Sequence, residues 1–576
     1  MKRLFALILA VVMVLGLFAC APTQSTNNNN NNSNNNSENN SDNNNNVDVD
    51  LPDDDESYVS SVFPLSEKQT LTVMIEAFEG IDDLNQRLAA NVLWQEILRE
   101  YNVEIIFQPW NQDNVASLFQ AGKMGDLIIN GGSGKDTLFQ GFIAGNRLLA
   151  IEEYVNDITV MPNANRYMFK ELPQARGTFT AADGHIYCMG SYNSDVSGYV
   201  ENYMFINKAW LDKAELPVPT TFEELERALY YFATHDMNEN DKDDEIPLWA
   251  SNPANFGIET LLAMWGVPTK DGTYENYVVL DGDTVKFVPQ MDVWKDFIKK
   301  MNEWFEAGIL YEGVFTDQTA TAKEKWDVGL SGAVRCGVLC VKDASLLRGS
   351  EEYVCLTPPK ASDDVDAVRW YIHPGFMGRK NTFSVPVTST NPKLACAFMD
   401  LFYTPEYTIR LLHGEADSIW RTTAADGTFT VNSPETSAQE DVKYTAGNCL
   451  DKATGASINF PTARGEAYYA LYKTSVASES LLNSLKQYQD AGVINDNVWP
   501  RPYFTSEGNT ALKELRADIF KLVEKKRGEW IYGEADIDEE WDDFQRDLET
   551  AEIEEFVAAM QDAYDVWKVS VDKSTN

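Results

Sequence analysis

The chain has 576 residues, and its 89 acidic side chains outnumber 47 basic ones to give a formal charge of −42. That balance excludes a nucleic-acid binder, which needs basic patches, and it argues against a polyanionic ligand unless a local basic pocket overrides the field. Apolar and aromatic content is that of an ordinary globular protein, and the length beyond residue 56 is enough for two or more domains.

At the N-terminus, Lys2 and Arg3 precede an almost unbroken apolar run from Leu4 to Phe18. The run is shorter than the roughly 20 residues a membrane span needs. It has the charge and length of a secretory leader. Leu17-Phe18-Ala19-Cys20 resembles the lipobox of bacterial lipoproteins. The resemblance implies a signal peptide over 1–19 and lipidation of Cys20. Residues 23–56 are mostly Asn, Ser and Asp and close on Asp53-Asp54-Asp55-Glu56. Ordering such a stretch costs entropy with little burial in return. Residues 20–65 are therefore expected to be the lipidated Cys20 and a flexible tether.

Beyond the tether, strand and helix signals alternate. Leu71 to Ile75 reads as a buried strand, and Ala90, Trp94, Ile97, Leu98 and Tyr101 fall at helical spacing. Val103 to Phe107 is a second strand, Ala116 to Ala121 a helix ended by Gly122, and Asp126 to Ile129 a third strand. This rhythm predicts crossover units and a largely parallel sheet. A second alternation begins at Tyr203-Met204-Phe205-Ile206. Thr221-Phe222-Glu223-Glu224 has capping-box spacing and opens a helix with Leu225, Ala228, Leu229 and Phe232 on one face. Asn391 and Pro392 read as the start of another, with Leu394, Phe398, Leu401 and Phe402 aligned. From Asn509 to Trp567 the pattern is helical throughout. The cysteines after Cys20 are Cys188, Cys336, Cys340, Cys355, Cys396 and Cys449, and their spacing fits no zinc pattern. Cys336 and Cys340 could pair or could both be core residues of one strand.

One segment carries explicit chemistry. From Asp236 to Glu245, oxygen-bearing side chains recur at every second position, and Ca²⁺ takes six to eight hard oxygen ligands. Asp236, Asn238 and Asn240 match positions one, three and five of an EF-hand loop. Lys242 would offer its carbonyl at seven, and Asp244 stands at nine with Glu245 behind it. Position twelve is Pro247, so this is not a true EF-hand. A solvated acidic turn is the alternative.

Several segments carry a family resemblance. Met204-Phe205-Ile206-Asn207-Lys208-Ala209-Trp210-Leu211-Asp212-Lys213-Ala214 resembles the "YNKDLFDKAGL" segment of bacterial family-1 extracellular solute-binding proteins. Val218 to Leu225 resembles their "P-x-T-W-x-E-L", Asp183 to Tyr187 their "DGKIYALP", and Asn391 to Asp400 their "NPEAAMKFLDYL" helix. Trp530-Ile531-Tyr532-Gly533 with Trp541-Asp542-Asp543-Phe544 is similar to the tail of the large lipoprotein subgroup. The Asp236–Glu245 loop resembles the structural calcium loop of alginate-type members, with Asp241 where Gly is usual. Asp tolerates left-handed backbone better than most residues.

The resemblance implies an α/β, two-lobed periplasmic-binding-protein-like fold of the type II kind, with a hinge and a helical C-terminal extension. It places 66–195 with 376–412 in the first lobe and 196–375 with 413–576 in the second. Crossings are expected near 190–204 and 371–376, where Gly375 is either a hinge point or a turn residue. It also implies no enzymatic activity. The chain would be a membrane-anchored, extracellular-face binding protein that catches an oligosaccharide and presents it to the permease of an ABC transporter. Sugars stack on aromatic faces with polar groups fixing orientation. Trp110, Tyr192, Trp265, Trp420 and Trp499 lie in or beside turn-like segments, and Arg421 adjoins one of them. A secreted glycoside hydrolase, or a peptide-binding or adhesive surface lipoprotein, are the competing readings.

Overall fold

The structure is a computed structural model. It describes residues 59–575 apart from 77–80, 112, 130–135, 197–198, 201, 251–257, 270–276, 312, 314, 316–335, 342–351, 374, 376–377, 417, 433–449, 451–459, 474–478, 501 and 505. Cys20, Cys449 and the tether up to residue 58 lie outside the described residues. The tether as expected from sequence ran seven residues too far. Ser61 N–H donates to the Thr159 carbonyl at 2.7 Å, and Phe63 is buried against Tyr101 with ring centroids 4.8 Å apart. Val62, Phe63 and Leu65 supply the apolar surface that the Asn-rich stretch lacks.

The strands in chain order begin with β1 (Gln69–Glu76), β2 (Val103–Trp110), β3 (Leu127–Ile129) and β4 (Cys188–Asn193). Then come β5 (Tyr203–Asn207), β6 (Ile246–Trp249), β7 (Val278–Asp281), β8 (Thr284–Phe287), β9 (Cys336–Val341) and β10 (Tyr353–Leu356). The last are β11 (Trp370–Tyr371), β12 (Arg379–Ser384), β13 (Arg421–Thr423), β14 (Phe429–Val431), β15 (Ala463–Arg464) and β16 (Ile494–Asn495).

The first lobe is built on a sheet of order β15-β4-β12-β3-β1-β2. β1 pairs in parallel with β2 and β3, while β12 runs antiparallel to β3 and β4. Leu71, Val73 and Ile75 of β1 face one apolar cluster and Met74 faces another, so both sides of the strand are covered. A strand buried on both faces reads as an unbroken apolar run. The second lobe has order β10-β5-β9-β6 with every β5 residue buried. The helix Phe222–Thr234 packs Phe232 against this core, and its N-terminus carries the full capping box of Thr221 and Glu224. Loss of such a cap costs about 1 kcal/mol.

The chain passes between the sheets three times. The first passage, 194–202, leaves β4 and enters β5. The second leaves β11 and enters β12. They pair with each other: Val200 bridges Ile372 antiparallel, and His373 N–H donates to the Tyr199 carbonyl at 2.9 Å. Gly375 needs its missing side chain for space. A Cβ there would stand 2.7 Å from His373 Nδ1 and 3.0 Å from the Tyr199 ring. The third passage leaves the helix Glu466–Leu471 and enters Glu479–Asp490. Tyr488 of that helix accepts from Met204 N–H at 2.8 Å and donates to the Leu356 carbonyl at 3.1 Å, tying it across β5 and β10.

Two expectations are corrected here. Residues following 413 do not all join the second lobe. β15 pairs with β4, and Phe460 stacks on Phe402 at 4.4 Å in the first core. The strands involved are two or three residues long, too short for a periodic signal. The C-terminal tail is also not one continuous helical stretch. It forms helices Ser506–Ile531, Ile537–Thr550 and Ile553–Thr575, broken at Gly533 and Glu552, both at positive φ. The last of these reaches the first lobe, where Trp567 lies so close to Gly177 that a Cβ would stand 2.7 Å from its indole nitrogen. Cys188, Cys336, Cys340, Cys355 and Cys396 are free, and Cys336 and Cys340 share β9.

Asp400 is a buried carboxyl at a helix start. It accepts from Asn163 N–H at 3.0 Å, Asn163 Nδ2 at 2.8 Å and Ala164 N–H at 2.8 Å. Burial pushes its pKa up to about 7 against the pull of those donors. The folded chain therefore holds a proton that the unfolded chain, with an ordinary carboxyl near ~3.9, has already lost. This group's contribution to stability falls as pH rises from 4 through 7 and is flat above. Asp400→Asn cannot ionise. Its stability relative to the parent should rise by on the order of 2–4 kcal/mol between pH 4.5 and 7.5 in denaturant titrations. A difference that does not change with pH would show that Asp400 ionises normally.

Candidate functional site

The loop Asp236–Glu245 joins the helix Phe222–Thr234 to β6 and folds on its own carboxylates. Asp236 accepts backbone N–H from Asn240 at 3.2 Å and Asp241 at 2.8 Å. Glu245 reaches back to Met237 N–H at 2.8 Å and Asn238 N–H at 3.3 Å. Asp244 accepts the side-chain amides of Asn238 at 3.0 Å and Asn240 at 2.9 Å. Asn240 Oδ1 accepts Lys242 N–H at 2.8 Å. Met237 is buried and anchors the turn, and Lys213 donates to the Asp236 carbonyl at 2.6 Å. Glu239 and Asp241 sit at φ 60° and 55°, so Asp241 does take left-handed backbone. Desolvation pushes the Asp236 carboxyl up, but the N–H groups of Asp241, Asn240 and Glu239, with Lys213 nearby, hold it below its ordinary value.

The donor set suits a hard cation: side-chain and carbonyl oxygens with no sulfur or imidazole. Among the described residues, no group of three or more His, Cys, Asp or Glu is gathered closely enough to hold an ion. The carboxylates of Asp236, Asp244 and Glu245 are spread by hydrogen bonds to the loop's own backbone and to amides. Asn238 and Asn240 present nitrogen to Asp244, and rotation of each amide would present oxygen instead.

A second constellation stands where the passages between the lobes meet. Asn193 closes β4, and Arg464 pairs with it in register. Tyr469 donates to Asn193 Oδ1 at 2.6 Å, and Ser194 N–H donates to the Arg464 carbonyl at 2.8 Å. Tyr199 of the first passage stacks on His373 of the second at 6.4 Å. Tyr468 and Tyr472 stack on each other at 5.6 Å, and Phe429 bridges Tyr472 from the β13–β14 hairpin. Burial pushes Tyr472 up, while Arg464 pulls it down and Asp195 pushes it further up.

The aromatic residues expected to face ligand fare differently. Trp110 is fully buried among Met74, Phe119, Phe139 and Phe142. Trp499 is buried and stacks on Tyr564 at 6.3 Å in the second core. Trp265 is half-buried between Phe222 and Phe297 in the same lobe. Trp110 and Trp499 are core residues, and Trp265 meets Phe222 and Phe297 edge-on. Trp420 is buried, and Arg421 lies 5.6 Å over the Phe429 ring. Tyr192 is beside the constellation, paired with Ala463, its hydroxyl pushed up to about 12 by burial and by the charge of Glu171. The constellation's Asn193, Arg464, Tyr469 and Tyr472 are not among the residues expected from sequence. Their signal was a lone arginine leading a tyrosine-rich run, Arg464 to Tyr472, in a strongly acidic chain.

Two α/β lobes joined by three passages, with polar and aromatic side chains gathered at the passages, define a ligand-binding protein of the hinged kind. No family model matches the chain. It is 25% identical over 527 residues to the fructooligosaccharide ABC transporter substrate-binding protein FusA of Streptococcus pneumoniae serotype 4, covering 88% of this chain and 92% of that one. Among solved structures, an HMO binding ABC-transporter associated solute binding protein from Bifidobacterium longum infantis matches with TM-score 0.67 at 22% identity, over 87% of this chain and 99% of the other. FusA from S. pneumoniae, as an EF-hand mutant in complex with fructo-nystose, matches with TM-score 0.59 at 21% identity, over 87% and 99%. The chain has the fold of extracellular solute-binding proteins.

Proposed function

We propose that the chain captures an oligosaccharide between its two lobes outside the cell and passes it, unaltered, to the membrane permease of an ABC transporter. The observation that carries this reading is the set of three passages, two of them paired through Val200 and Ile372, with the tyrosine and arginine constellation beside them. Small backbone rotations in paired strands move whole lobes without breaking either core. The likeness to FusA over most of both chains supports the ligand class. Labelled oligosaccharides should bind and be recovered intact. Recovery of cleaved sugar would make the protein a hydrolase, and no binding across fructans and milk-type oligosaccharides would remove the reading.

Cys20 carries the lipid in this proposal, and the Asn-rich tether lets the lobes range near the membrane. Cys20→Ala should release the protein from the membrane fraction or leave the leader uncut. An unchanged membrane fraction would end the anchor.

The loop at Asp236–Glu245 holds Ca²⁺ for stability. Like charges on Asp236, Asp244 and Glu245 repel unless a cation stands among them. An ion bound only by the folded chain stabilises it by mass action, about 2.7 kcal/mol at a hundredfold excess over its Kd. The EF-hand mutant of FusA, which has the same fold, supports a loop of this type. Chelation with EGTA should lower the melting temperature by several degrees. Asp236→Ala and Asp244→Ala should copy that loss and no longer respond to EGTA. Mg²⁺ should restore little, since it demands near-ideal octahedral geometry. Identical melting curves with and without EGTA would leave an ordinary acidic turn.

A further inference from the structure

We propose that Arg464 and Tyr472, with Asn193 between the lobes, form the polar half of a subsite for an uncharged sugar ring; this rests on the capture reading above. Arg464 is placed by the sheet. Its register pairing with Asn193 carries both side chains to the same face at the end of β4, where the first passage begins. Asn193 Oδ1 is fixed by the Tyr469 hydroxyl. The neighbouring helix Glu466–Leu471 then delivers the rings of Tyr469 and Tyr472 to this end of the sheet.

Two atoms here lack what buried polar atoms ordinarily have. Arg464 Nε and the Tyr472 hydroxyl are both buried, and neither has a hydrogen-bond partner among the described residues. Buried polar groups are nearly always satisfied, and an exception asks for a missing partner. No salt bridge pairs the Arg464 guanidinium with a carboxylate among the described residues, although carboxylates outnumber basic groups almost two to one in the chain. A guanidinium presents several donors in a fixed fork, and a phenol can donate or accept. Vicinal hydroxyls of a sugar match both.

The charge around the subsite selects the ligand class. Asp195 acts on Tyr468, Tyr469 and Tyr472 together with Arg464, and Glu171 and Glu466 act on Tyr192. Against Asp195, Glu171 and Glu466 stand Arg464 and, beside Glu171, Lys170, so negative charge is in excess and an acidic sugar gains no net attraction. Neutral hydroxyls gain the donors of Arg464 without that repulsion.

The test is calorimetric titration of the parent, Tyr472→Phe and Arg464→Met with kestose, fructo-nystose and trigalacturonate, alongside melting curves without sugar. Tyr472→Phe removes a hydroxyl with no partner among the described residues, so its melting temperature should be unchanged or higher. Its affinity for the neutral sugar should nonetheless fall about 3- to 10-fold. Arg464→Met should lower affinity about 10- to 100-fold, since bonds to charged groups are stronger. Neutral binding that survives both substitutions would overturn the subsite and leave the capture reading standing. Binding of trigalacturonate in preference to the neutral sugars would overturn the ligand class alone. Binding of none of the three by the parent would overturn the subsite and its ligand class, and would count against the capture reading.

Discussion

The antiparallel bridge between Val200 and Ile372 is the constraint on which the molecule turns. Each lobe has its own apolar core, and Val200 and Ile372 are buried at the margin of the second. What holds the passages in register is the bridge itself, the bond from His373 to Tyr199, and the indole of Trp370 donating to the Asn202 carbonyl at 2.8 Å. Any change of angle between the lobes has to turn at these short passages, since repacking either core would cost many kcal/mol. Gly375 fits this account as a point of close approach rather than a free joint.

Much of the scaffold could be read from residues alone. Leu71 to Ile75 is a strand covered on both faces, Val103 to Phe107 is an edge strand that buries one face and exposes Glu104 and Ile106, and the Thr221 capping box sits where its spacing puts it. The resemblance of Met204 to Ala214 lies on β5 and the helix after it, where Asn207 caps through Trp210 N–H at 3.1 Å. Residues 413–472 resisted because β13 and β14 form a hairpin of only three residues a side, and β15 holds through pairing with β4, distant in sequence, which no local window contains.

The site was less legible for a different reason. A tryptophan in a turn-like segment fits core and surface equally in sequence, and burial is decided by the whole fold. Trp110 and Trp499 lie in the cores and Trp265 is half-buried against Phe222 and Phe297, while the subsite proposed above draws on Asn193, Arg464 and Tyr472. Arg464 carried a weak signal that charge alone makes visible: one cation in an acidic chain, beside tyrosines. The Asp236–Glu245 loop was legible because its chemistry is local. Its alternation of oxygens, and Asp241 at φ 55°, follow from ten consecutive residues.

If the paired passages are a hinge, closure must follow ligand. The direct measurement is small-angle scattering of residues 58–576, one compact unit, with and without a neutral oligosaccharide shown to bind. The account predicts a smaller radius of gyration in the bound state, reversed when the sugar is dialysed away. An unchanged radius at full occupancy would mean that Val200 and Ile372 hold a fixed joint, and the capture of ligand by moving lobes would be wrong.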